Sequence, residues 1–219
     1  MRPCHACLTV IGLSAIAFLF GVAVAQDKPD AQPAASVEKT AGDKAPAGAE
    51  QMQKMMEEWA KANQPGKEHE LLKKLAGTWK VETSFRMTPD MPEMKSNGSD
   101  TSSMILADRY LRSDFSGEMM GHPFKGMSLM GYDTMKKKYV AMWIDEMTTG
   151  FMTSEGTADS SGKTLTFNGE SFCPSTGKVE PFRHVVTMES DDKYTFEGFG
   201  PGSDGKEFRM MKLAYTREK

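Results

Sequence analysis

The stretch HELLKKLAGTWKVETSF, residues 69–85, changes its hydrophobic period halfway. Its first half has leucines at positions 71, 72 and 75, the spacing of one helix face, and after Gly77 apolar and β-branched residues recur at every second position from Trp79 to Phe85. The pattern predicts a short helix over 67–76 that turns at Gly77 into a β-strand. We expect the helix to cap one end of the following fold, with Trp79 on the inner face of the first strand.

The period stays close to two from Gly77 onward. Runs such as KYVAMWIDEM and FRHVVTME are separated by turn signals such as ADSSGK and GPGSDGK, and they predict roughly eight to ten strands. No long helical pattern separates the strands, which excludes parallel βαβ units. A meander of this length avoids exposed edges by closing on itself. The sequence therefore predicts an all-β fold, a single closed antiparallel up-and-down barrel of the calycin or lipocalin type with short N-terminal helices.

The segment before the barrel divides into three parts. Residues 1–25 combine a basic start, an apolar run and the small residues of AVA, which is typical of a secretory signal peptide; an uncleaved anchor is the alternative. Residues 26–49 are rich in Ala, Pro and charges, which predicts a disordered linker. Residues 50–66 place Met and Trp on one helix face, an amphipathic helix ahead of a barrel domain at 67–219. We expect an exported protein, periplasmic or secreted, without a membrane span after cleavage.

Charge and cysteine content exclude two classes of protein. The net charge is −3 and the basic residues are scattered, so the chain lacks the basic stripe of a nucleic-acid-binding protein. Of the three cysteines, signal cleavage leaves Cys173 alone, so the domain has no internal disulfide to stabilise it.

Several separated blocks carry a family resemblance. The blocks are PGKEHELLKKLAGTWKVE (65–82), ILADRYLRSDFSGEMMGHPFKGMSLMGYD (105–133), KKKYVAMWIDEMTTGFMTSEGT (136–157) and GKEFRMMKLAYTR (205–217). Together they resemble the DUF1579 family, over roughly residues 52–217. The resemblance implies a calycin-like barrel, often exported, of unknown function and without established catalytic residues. One departure is visible, because the family leads us to expect Gly-Gly-Arg-Tyr where this chain has Ala107-Asp108-Arg109-Tyr110.

The strand around the WID tripeptide suggests a ligand pocket. Alternation puts Trp143 and Asp145 on one face, but both faces carry apolar residues, so the pattern does not decide which face is inside. If the Trp143 face is inside, Asp145 needs a partner, for which Arg109 and Arg112 are candidates. A structural ion pair at the barrel rim is the alternative. The predicted pocket residues are Trp79, Arg109, Tyr110, Trp143 and Asp145.

Metal and haem sites are weaker hypotheses. His184 shares a strand face with apolar residues and is a candidate haem ligand, although a lone His on such a face is usually a core residue. Met119 and Met120 lie next to His122, and thioethers suit Cu(I). Both groups also fit ordinary packing, so the primary hypothesis contains no cofactor.

No catalytic motif is present, since the chain has no Gly-x-Ser-x-Gly and no phosphate-binding glycine loop. We therefore lean away from an enzyme, although carboxylate chemistry in the pocket stays open. The primary hypothesis is binding of a small, largely apolar molecule inside the barrel. A haem- or copper-binding barrel and a ligand-free interaction module are the alternatives, and the sequence does not set the oligomeric state.

Overall fold

A computed structural model describes residues 48–173, 176–202 and 204–219. The predicted signal peptide, and the predicted linker up to residue 47, lie outside the described residues. Within these residues, two helices precede the sheet: α1 spans Ala49–Ala62 and α2 spans Lys67–Leu75. No helix in the described part of the chain has the length and apolar composition to cross a membrane.

Ten antiparallel strands form the sheet, and each pairs with its neighbours in the chain. Their bounds are β1 Gly77–Phe85, β2 Met94–Ile105, β3 Tyr110–Met119, β4 His122–Asp133, β5 Lys138–Asp145, β6 Met152–Ala158, β7 Thr164–Cys173, β8 Lys178–Ser190, β9 Lys193–Pro201 and β10 Glu207–Arg217. Pairing of β1 with β10 closes the barrel. The predicted closed up-and-down barrel with N-terminal helices is confirmed.

The register decides which side chains face the lumen. Trp79 is 1% exposed and lies inside, and residues directly opposite one another share a face of the sheet. Trp79 pairs with Asp100, and the same face of the sheet continues through Phe115 and Gly126 to Asp145. The face of β5 that carries Trp143 and Asp145 therefore lines the lumen.

Helix α2 seals one end of the barrel. Leu71, Leu72 and Leu75 are buried in the core, and Leu72 is completely inaccessible. Trp79 Nε1 donates a hydrogen bond to the carbonyl oxygen of Leu75 at 3.0 Å, so the first inward side chain of β1 is tied to the helix above it. We call this end of the barrel the sealed end and the opposite end the open end.

The connection between α2 and β1 requires glycine. Gly77 has φ +142°, a conformation that other residues rarely adopt. A Cβ at this position would also overlap the guanidinium of Arg217, which crosses the junction from the last strand. The sharp turn predicted at Gly77 therefore rests on both backbone conformation and space.

Candidate ligand site in the barrel lumen

The lumen is packed at the sealed end and accessible at the open end. Inward side chains near α2 are buried, as Leu165 and Tyr194 show. Farther from α2, the inward side chains of Trp143, Phe182 and His184 are only half-buried. An inward residue gains exposure only where solvent enters the lumen, so solvent reaches these side chains from the open end.

Aromatic rings lie flat against the inner wall because glycines on adjacent strands leave room for them. A Cβ on Gly126 would overlap the indole of Trp143, and a Cβ on Gly169 would overlap the ring of Phe182. Each ring therefore occupies the place of a missing side chain on the next strand. This arrangement gives the inner wall an apolar aromatic surface.

Trp143 and Asp145 form a fixed pair beside the open end. Trp143 Nε1 donates to Asp145 Oδ2 at 2.8 Å. Asp145 Oδ1 accepts from the backbone N–H groups of Met147 and Thr148, each at 2.9 Å. Three hydrogen bonds thus satisfy a half-buried carboxylate without an arginine.

His184 lies in an aromatic part of the lumen wall. Its ring stacks on Phe182 with centroids 4.5 Å apart and lies 4.8 Å from the ring of Phe196. Burial lowers the pKa of His184 to about 4, so the imidazole is neutral at pH 7. Within the described part of the chain, no residue forms a hydrogen bond with this side chain.

A second buried carboxylate lies deeper in the lumen. Asp100 is 2% exposed and accepts hydrogen bonds from the hydroxyl of Ser102, at 2.5 Å, and from that of Ser113. Burial raises the pKa of Asp100, and the two hydroxyls oppose that shift. Ser113 in turn faces Ser128 across β3 and β4, so a short row of hydroxyls runs along this side of the wall.

Two of the five predicted pocket residues lie together in the lumen, and the other three lie elsewhere. Trp143 and Asp145 are in contact there, whereas Trp79 is buried in the sealed end. Tyr110 points outward and covers Gly131 on the outer wall. Arg109 lies in the turn between β2 and β3 at the sealed end, far along the strands from Asp145.

The proposed arginine partners of Asp145 are therefore not found there. Arg112, on the outer face of β3, instead pairs with Asp114 at 2.9 Å. The reason is parity: Leu111 is buried inside, so its neighbours Tyr110 and Arg112 must face outward.

The metal candidates are distributed over different places. Met119, Met120 and His122 surround the tight turn between β3 and β4 at the open end, whereas His184 is inside the barrel. In the described residues, no group of three or more His, Cys, Asp or Glu side chains is arranged to hold a metal ion.

Sequence reasoning missed Asp100 and the row of serines. The strand that holds Asp100 reads MKSNGSDTSSMI, which is polar on both faces, so alternation gives no signal for its inner face. Only the pairing of Asp100 with Trp79 on the neighbouring strand shows that the Asp100 side chain faces the lumen.

Fold and site together define a closed up-and-down β-barrel with one sealed end and with half-buried aromatic rings on the inner wall toward the other end. Residues 64–217 match the family described as "Protein of unknown function (DUF1579)", and the chain belongs to this family, as the sequence blocks predict. The comparison with curated proteins gives no match.

Solved structures of the same fold have little sequence in common with the chain. The S-type phycobiliprotein lyase CPES from Guillardia theta is 13% identical, with a TM-score of 0.50 over 72% of this chain and 96% of that chain. Rv2717c from M. tuberculosis is 9% identical, with a TM-score of 0.51 over 71% of this chain and 100% of that chain. At these identities the likeness shows the fold alone.

Proposed function

We propose that this protein binds a small, largely apolar molecule with a flat ring system in the lumen, entering at the open end. The observation that carries the proposal is the pair of rings, Trp143 and Phe182, that lie flat on glycines of neighbouring strands and are half-exposed inside the barrel. Flat aromatic surfaces favour stacking with a planar ligand. Apolar walls with a few polar groups are typical of ligand pockets.

Polar atoms in the wall would orient such a ligand. The imidazole of His184 is neutral and has no hydrogen-bond partner in the described residues. Thr83, on the inner face of β1, has the one buried side-chain oxygen without a hydrogen-bond partner among the described residues. A buried hydroxyl without a partner is costly, so a polar group of a ligand placed there would relieve that cost.

A lumen-filling variant tests the proposal. Ser154 faces inward on β6, and Ser154→Phe would place a ring in the open part of the lumen. Thr157→Phe adds the same ring to the exposed outer face of the same strand and is the control. We expect the neutral fluorescent probe N-phenyl-1-naphthylamine to bind the parent protein and the control but not Ser154→Phe. Equal binding to all three proteins would place the probe outside the lumen and contradict the proposal.

A second candidate ligand is haem, held by His184. A haem-binding histidine must be neutral, accessible and not engaged elsewhere, and His184 meets these conditions between two aromatic rings. Haem would supply the redox and gas-binding chemistry, and His184 would hold it with one imidazole nitrogen between the aromatic walls. The test is a Soret band after haem addition, expected in the parent protein and absent in His184→Ala. A band of equal position and intensity in both proteins would reject His184 as the ligand.

Export is a further part of the proposal, supported by the signal-peptide pattern of residues 1–25. N-terminal sequencing of the protein from its native host should start at Gln26. A native chain that retains Met1 or Arg2 would show that the segment is not cleaved.

A further inference from the structure

The apolar face of α1 has no partner on its own barrel. Met52, Met55, Met56 and Trp59 are 57–68% exposed, and no residue of the helix is buried. Four large apolar side chains on one side of an exposed helix are expected to be covered in the functional assembly. We propose that this face binds the outer wall of the barrel of a second copy of the chain.

The outer wall offers a matching surface. A groove of about 460 Å³ lies on the outside of β3 to β6, lined by Tyr110, Leu129, Val140 and Met142. A second groove of about 500 Å³ continues toward the open end past Met127 and Ile144. The outer face of an antiparallel barrel in water is normally polar, so this apolar strip also needs an explanation.

The dimensions of helix and strip agree. A helix of 14 residues is about 21 Å long, and the eight residues of β5 extend over about 26 Å. From Met52 to Trp59 the helix advances about 10 Å. From Val140 to Ile144 the strand advances about 13 Å, so the apolar parts have similar lengths.

The position of α1 favours a second copy. The carbonyl oxygen of Ala62 accepts a hydrogen bond from the Thr134 hydroxyl at 3.2 Å, which holds the end of α1 beside the turn between β4 and β5. The helix nevertheless makes no packing contact with any strand of its own barrel. The link to α2 is only residues 63–66 and contains Pro65, so α1 would have to break its anchor to fold back.

Charge favours a protein partner over a membrane. The polar part of α1 carries three glutamates and two lysines, which is unfavourable on an anionic lipid surface. The charged residues that line the two grooves have both signs, the basic Lys125 and Lys136 and the acidic Asp114, Asp145 and Glu155. A protein wall with charges of both signs can therefore pair with the mixed glutamates and lysines of the helix, which an anionic lipid surface cannot do.

A symmetric dimer contains the helix–groove contact twice. The α1 helix of each copy would bind the outer groove of the other copy, which is the self-complementary arrangement of a two-fold dimer. Each contact needs to bury only about 800 Å² in total for the pair to reach the roughly 1,600 Å² of a standard interface.

Light scattering on the purified chain tests the proposal. We expect the parent protein to have the mass of a dimer and the variants Met56→Lys, on the helix, and Met142→Lys, in the groove, to be monomers. Glu57→Lys places the same lysine on the polar side of α1 and should remain dimeric. A mixture of Met56→Lys with Met142→Lys should regain a weaker dimer, because one intact helix and one intact groove remain.

Three outcomes would overturn the proposal. The first is a parent protein that is monomeric at the highest soluble concentration, including a monomer whose Trp59 is shielded by its own barrel. The second is a Met56→Lys variant that stays dimeric. The third is a mixture of the two variants that stays monomeric although each variant is folded by circular dichroism.

Discussion

His184 links the lumen to the pH dependence of stability. Burial lowers the pKa of this imidazole from 6.5 to about 4. Between these values the unfolded chain binds a proton that the folded protein does not, so stability is lost as the pH falls through this window. Above this pH window the imidazole of His184 is neutral. The neutral ring can accept a hydrogen bond from a bound molecule or bind the iron of a haem.

The parent protein should therefore be more sensitive to acid than His184→Gln. From about pH 8 to pH 5 we expect the parent to lose about 2 kcal/mol more unfolding free energy than the variant. The measurement is urea unfolding of both proteins at the two pH values. Burial also lowers the pKa of His69, but that residue is present in both proteins and cancels. Equal losses would show that the imidazole of His184 reaches solvent freely.

Ala107 lies in a conformation suited to glycine. Leu106, Ala107 and Asp108 have φ of +51°, +55° and +60°, so the turn between β2 and β3 is left-handed over three residues. The family resemblance predicts glycine at positions 107 and 108, and the structure shows the physical reason for it. The departure from that pattern places Ala107 and Asp108 in a backbone conformation that costs stability.

We expect Ala107→Gly to stabilise the fold by about 1 kcal/mol, because it relieves a left-handed alanine. Thermal or urea unfolding measures the effect. Ala141→Gly, at an extended position in β5, is the control and should be destabilising. A loss of stability in Ala107→Gly would mean that the gain in unfolded-state entropy outweighs the relieved strain.

At the scale of elements, β5 shows where sequence reasoning ends. Its outer residues Val140, Met142 and Ile144 are as apolar as its inner ones, because they line the outer grooves. Alternation therefore cannot assign the inner face, and only the register with β4 does. By contrast, the α2–β1 corner is encoded locally by leucines at helical spacing followed by Gly77 and Trp79, and it was predictable.

The positions of Tyr110 and Arg109 outside the lumen have the same origin. Which residues of a strand face inward depends on where the strand begins, and a turn of unusual conformation sets that point for β3. The order of hydrophobic residues around the turn does not reveal it. Long-range pairing thus decides the lumen lining, while local patterns decide the elements.

Arg217 fastens α2 to the barrel. It donates to the carbonyl oxygens of Ala76 at 2.8 Å, Lys74 at 2.9 Å and Asp191 at 3.0 Å. Its guanidinium also lies 4.0 Å from the centre of the Trp79 ring. One side chain of the last strand thereby joins the end of α2, the first strand and the turn between β8 and β9.

Arg217→Lys keeps the positive charge but removes the planar guanidinium group that donates to three carbonyl oxygens. We expect the variant to lose about 2 kcal/mol of unfolding free energy, measured in urea. Arg112→Lys changes an exposed pair with Asp114 and should cost less than about 0.5 kcal/mol. Similar losses in the two variants would show that Arg217 acts only as a surface charge.

In the complete barrel, the residues that stabilise the fold and the residues of the proposed binding site lie at opposite ends. The sealed end holds the packed core of α2, Trp79 and the stacked pair Tyr194 and Tyr215, whose rings are 4.0 Å apart. The open end keeps its inward rings against the wall and its lumen accessible. A fold that is stabilised at one end can leave the other end unfilled, which is what a ligand site needs.

Substitutions of two glycines in β4 test whether ligand binding depends on the lumen at the open end and not on overall stability. Gly126 faces inward beneath the Trp143 indole, whereas Gly131 faces outward beneath the ring of Tyr110. Gly126→Ala should push the indole into the lumen and weaken binding of the N-phenyl-1-naphthylamine probe about tenfold or more, a change of about 1.4 kcal/mol. Gly131→Ala creates a matching overlap on the outer wall and should leave binding unchanged. Probe titrations of the two variants measure the difference, and an equal loss in both would show that binding follows overall stability, not the volume of the lumen.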